Sequence, residues 1–118
     1  MVEQGNLIRT ESISHPLLVI SKNSYNASGF AIVCPVTKLP ASDLSYWIEL
    51  ATPVSPQQCG MEPAAFGQSR VADFHVYVQC DNIRLLNLNQ RRYSLVGHVA
   101  IACLLGVLSR VEAIFDLV

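Results

Sequence analysis

The chain has 118 residues, enough for one domain and short for two. Half of it is hydrophobic (51%) and 14% is charged, which leaves apolar surface to spare once a core is filled. A formal net charge of -1 excludes the strong basic field of a duplex-DNA binder.

The first strand falls within Val2 to Thr10, centred on Leu7-Ile8. "TESIS" is a brief polar run, after which Pro16 pushes His15 toward extended geometry. "LLVIS" then reads as a continuous, buried strand. "KNSYNASG" has the chemistry of a turn, ending in a glycine able to take positive φ. "FAIVCPVTK" is a third strand rich in β-branched residues, and Pro35 within it implies a bulge or an unpaired edge. "LSYWIEL" is a fourth. Residues 51–68 carry Pro53, Pro56, Pro63, Gly60 and Gly67 and read as a long loop with room for one short helix. "SRVADFHVYVQCDNIRLL" holds the next strand, in which Phe74, Val76 and Val78 alternate with outward His75, Tyr77 and Gln79. "NLNQRR" is a turn and "YSLVG" a last short strand. From His98 to the end the chain reads as one helix, apolar over much of its surface.

The sum is a mainly β fold over residues 1–118: a small closed or half-closed barrel of five to six strands with a C-terminal helix. The apolar run "VAIACLLGVLS" is too short to span a bilayer. No leader opens the chain, so a cytoplasmic, non-membrane protein is expected. Cys34, Cys59, Cys80 and Cys103 form no CxxC pair, which argues for reduced thiols and against a metal centre. There is no glycine-rich phosphate loop and no nucleophile elbow, so an ordinary metabolic enzyme has little behind it and no cofactor is expected.

The order of motifs resembles the MazF/PemK family of toxin–antitoxin ribonucleases. "HPLLVIS" is similar to that family's Arg-Pro-(Ala/Val)-Leu-Val-(Ile/Leu)-Ser strand, and Tyr25-Asn26 to its hydrophobic-Asn pair. Pro35-Val36-Thr37 resembles its Pro-(Ile/Val)-Thr, and Asp81-Asn82-Ile83-Arg84 its Asp/Asn-Gln-(Val/Pro/Ile)-Arg. Glu3-Gln4-Gly5-Asn6 is a softer version of the family's Arg-Gly-Asp/Glu start. The likeness spans nearly the whole chain.

That resemblance implies an SH3-like barrel, a homodimer, a cognate antitoxin as partner and metal-independent cleavage of single-stranded RNA. It also exposes departures. The family's long loop between the first two strands is reduced here to "TESIS". The arginine before the strand proline is His15, and a PemK arginine before Cys-Asp is Gln79.

RNA cleavage of this type needs a base for the 2′-hydroxyl, stabilisation of the phosphorane and an acid for the leaving 5′-oxygen. Histidine serves as acid or base, but it does not reproduce the bidentate grip of arginine on phosphate. By resemblance, His15 and Thr37 carry the chemistry, Asp81 orients, and Gln79, Arg84 and Lys38 hold RNA. Read blandly, His15 is a polar strand-start residue, Thr37 a good strand former, Asp81 an Asx turn, and Arg84 and Lys38 solvated surface. Tyr25, Tyr46, Trp47 and Phe66 offer faces for bases, with at least two of them expected in the core. Arg91-Arg92 is either an RNA contact or a solvated turn.

Two functions follow. One is an active endoribonuclease of a toxin–antitoxin pair. The other is a weakened or inactive binding module on the same fold; the related CcdB toxins share the barrel but poison a topoisomerase, so fold does not fix function.

Overall fold

The structure is a computed structural model, and it describes residues 1–37, 47–51 and 76–115. Seven strands and two helices succeed one another: β1 (Asn6–Thr10), β2 (Ile13–Val19), α1 (Asn23–Asn26), β3 (Phe30–Thr37), β4 (Trp47–Ala51), β5 (Val76–Gln79), β6 (Arg84–Asn87), β7 (Tyr93–His98) and α2 (Ile101–Ile114). Every pairing is antiparallel, in the order β4-β5-β3-β2-β1-β7, with β6 added to β3. The class is the expected one, mainly β with a C-terminal helix. Among the described residues the sheet does not close on itself.

"TESIS" is a tight hairpin. Thr10 pairs with Ile13, so only Glu11 and Ser12 connect the strands, and β2 runs through His15 and Pro16. Pro35 pairs with Leu17 on one side. On the other it falls where β3 changes partner, from β6 at Phe30–Val33 to β5 at Val36 and Thr37. A residue without an N–H fits at such a changeover.

The side chains divide by parity between two cores. On one face Leu7, Leu18, Cys34, Val36, Val78 and Cys80 meet Leu104 and Val107 of α2. On the other, Val2, Ile8, Leu17, Val19, Ala31, Val33 and Leu86 form a second cluster. Each fully buried Leu, Ile or Val contributes roughly 1.5–3 kcal/mol, so a one-residue slip of β2 or β3 would exchange the two cores and is strongly opposed.

The Tyr25-Asn26 motif acts through Asn26. Its Nδ2 donates to the Ser21 carbonyl at 2.9 Å, its Oδ1 accepts from the Ser21 hydroxyl, and Ser21 Oγ accepts the Ile32 N–H at 2.9 Å. This buried clasp ties the single turn of α1 to the start of β3. Gly29 then takes φ +93° beside the Asn89 side chain, which leaves no room for a Cβ.

Three expectations change. The run through "VYVQCDNIRLL" is two strands, because the chain turns after Gln79, with Asn82 N–H donating to the Gln79 carbonyl at 3.0 Å. That raises the strand count among the described residues to seven. "KNSYN" contains a helical turn where only a turn was expected. The terminal helix starts at Ile101, since His98 still pairs with Asn6 and the Val99 N–H is held by the Gly5 carbonyl at 3.0 Å. The expected loop over 51–68 lies almost wholly outside the described residues, as do Lys38, Tyr46, Cys59, Phe66 and His75. No described helix is long and apolar enough to cross a membrane.

Candidate functional site

Strand parity puts His15, Thr37, Gln79 and Arg84 on one face; Asp81 lies in a turn and Lys38 outside the described residues. His15 lies two residues before Leu17, and Thr37 two residues beyond Pro35, Leu17's partner. The β2–β3 pairing ends at Leu17 and Pro35, so His15 and Thr37 lie just beyond the same end of it. Gln79 lies between Val78 and Cys80, both in the α2-covered core, and therefore projects to the opposite face. Arg84 pairs with Val33 and precedes Leu86 by two, so it shares the face of the second cluster. His15, Thr37, Gln79 and Arg84 thus extend that apolar face toward solvent.

Hydrogen bonds join three of them into a row. Arg84 Nε donates to Asn82 Oδ1 at 3.3 Å, Asn82 Nδ2 to Gln79 Oε1 at 3.2 Å, and Gln79 Nε2 to Thr37 Oγ1 at 3.1 Å. Every bond in the row runs in one direction, from a guanidinium to a hydroxyl. Each amide accepts on its carbonyl and donates on its NH₂, an arrangement in which neighbouring bonds strengthen one another. Gln79 reaches Thr37 diagonally, since Thr37 is paired directly with Tyr77.

His15 is half-buried, with Nδ1 3.4 Å from the Pro16 carbonyl oxygen. That long contact favours the tautomer protonated on Nδ1, in which Nε2 is the acceptor a general base requires. Asp81 stands exposed in the turn between β5 and β6, next to Asn82. Its charge helps to hold up the thiols of Cys34 and Cys80 behind the site. Burial is the larger cause: it pushes Cys34 up to about 12, with Cys80 and then Asp81 adding to it. Burial likewise takes Cys80 to about 11, against the lowering effect of the Ile48 backbone and Arg110. Both thiols stay protonated at neutral pH and are not nucleophiles.

Tyr25 is exposed on α1 and available to stack on a base, whereas the side chain of Trp47 lies outside the description. Among the described residues no group of three His, Cys, Asp or Glu side chains is placed to hold a metal ion. Asn82 is the member that sequence reasoning passed over. Its signal was the family's Asp/Asn-Gln-x-Arg pattern, in which a side-chain amide occupies that position.

The chain belongs to the family described as PemK-like, MazF-like toxin of type II toxin-antitoxin system, whose profile matches residues 9–115. Solved structures agree on the fold. MazF in a MazE–MazF crystal from Deinococcus radiodurans is 19% identical, with a TM-score of 0.68 over 98% of this chain and 97% of that one. A crystal structure of MazF from the same organism gives 0.67 at 19% identity over the same shares, 98% and 97%. Mycobacterium tuberculosis toxin MazF-mt6 gives 0.62 at 16% identity, over 96% of this chain and 98% of that one. No curated protein matches the chain by sequence.

Proposed function

We propose that the protein is the toxin of a toxin–antitoxin pair and cleaves single-stranded RNA without a metal ion. The observation that carries this reading is the directed row from Arg84 through Asn82 and Gln79 to Thr37, on the sheet face that also bears His15. His15 Nε2 takes the proton of the 2′-hydroxyl, whose oxygen then attacks the adjacent phosphorus. Thr37 and Arg84 meet the non-bridging oxygens as charge builds on the phosphorane, a contribution often worth several kcal/mol. The returning proton goes to the 5′-oxygen as its bond to phosphorus breaks, leaving a 2′,3′-cyclic phosphate and a 5′-hydroxyl. Lys38 adds to the RNA grip and Asp81 helps to orient the site.

Partners follow from the fold and its surface. Ile101, Leu105 and Phe115 leave apolar side chains exposed on and just beyond α2, and Leu95 does so on β7. That surface suits a second copy of the chain, and a MazE-like antitoxin is the regulator by likeness to the MazE–MazF crystals. A second reading, binding without cleavage, is favoured by the two-residue Glu11-Ser12 hairpin, which is itself too short to cover an RNA.

The deciding experiment incubates the purified protein with long single-stranded RNA in EDTA, beside His15→Ala and Thr37→Ala. Cleavage lost in both variants, with cyclic-phosphate ends, supports the enzyme. No cleavage by a folded wild type selects the binding module.

A further inference from the structure

We draw no further inference here: the strongest candidate, the apolar surface patch of Ile101 and Leu105 on α2 with Leu95 on β7, belongs to the partner surface already described, and nothing in the structure shows what else covers it.

Discussion

Gln79 Nε2 donates to Thr37 Oγ1 across 3.1 Å, joining residues 42 positions apart in sequence. The bond spans the β3–β5 junction, and behind it Asn82 fixes which end of the Gln79 amide faces Thr37. A PemK-type arginine is absent from this position, and a neutral amide links Thr37 to the charge of Arg84 in its place.

Gln79→Leu is expected to lower the rate of RNA cleavage roughly five- to tenfold while leaving the fold intact. Losing one hydrogen bond of about 1–1.5 kcal/mol from a transition-state contact gives that factor. Asn82→Leu, which severs Arg84 from the row but leaves the Gln79–Thr37 bond in reach, should cost less. Single-turnover rates with a fluorogenic RNA, beside circular dichroism, check both; equal rates in wild type and Gln79→Leu would remove the row from the mechanism.

His15→Arg restores the residue that the family's strand motif carries before its proline. Arginine cannot accept the 2′-hydroxyl proton that His15 Nε2 takes, so the variant is expected to cleave more slowly than wild type even though it grips phosphate more firmly. His15→Ala should be the slowest of the three. An arginine variant as slow as alanine would show that proton transfer by the imidazole is indispensable.

Asn26→Ala is a stability test of the Ser21 clasp. The change leaves the Ser21 carbonyl and hydroxyl without their Asn26 partners in a buried site. Unsatisfied buried groups cost about 1–3 kcal/mol, so urea unfolding should shift by that amount. Tyr25→Ala, at an exposed position one residue earlier, should move it far less.

Most of the architecture was legible because period and chemistry agree in β1, β2 and β3. Leu7-Ile8, "LLV" of "LLVIS" and "FAIVC" are strands by composition and strands in the sheet. The split of β5 from β6 was half legible: Asp81-Asn82 carries turn chemistry and reads as an Asx turn, but nothing marked Arg84–Asn87 as a strand of its own. His98 looked like a helix start because nothing in its side chain reveals pairing with Asn6 across the sheet. At the site, motif resemblance located Thr37, Gln79 and Arg84 individually. Their connection was not readable, since it depends on a diagonal contact between strands and on an amide, Asn82, whose partners lie on both sides of a turn.

Alkaline pH should destabilise the fold through its core thiols. Cys34 and Cys80 are held up at about 12 and about 11 by burial, against an ordinary value of 9.0. In the unfolded chain they ionise near that ordinary value, so above it the unfolded state loses protons that the folded state keeps. Stability is therefore fully present below about 9 and falls as pH rises toward 11 and 12, by up to about 1.4 kcal/mol per pH unit for each thiol. Cys34→Ala with Cys80→Ala removes this dependence, at the cost of a lower stability at neutral pH from the cavities left in the α2-covered core. Thermal melts of both proteins between pH 8 and pH 11 compare the slopes; parallel curves would show that the thiols do not set the alkaline limit.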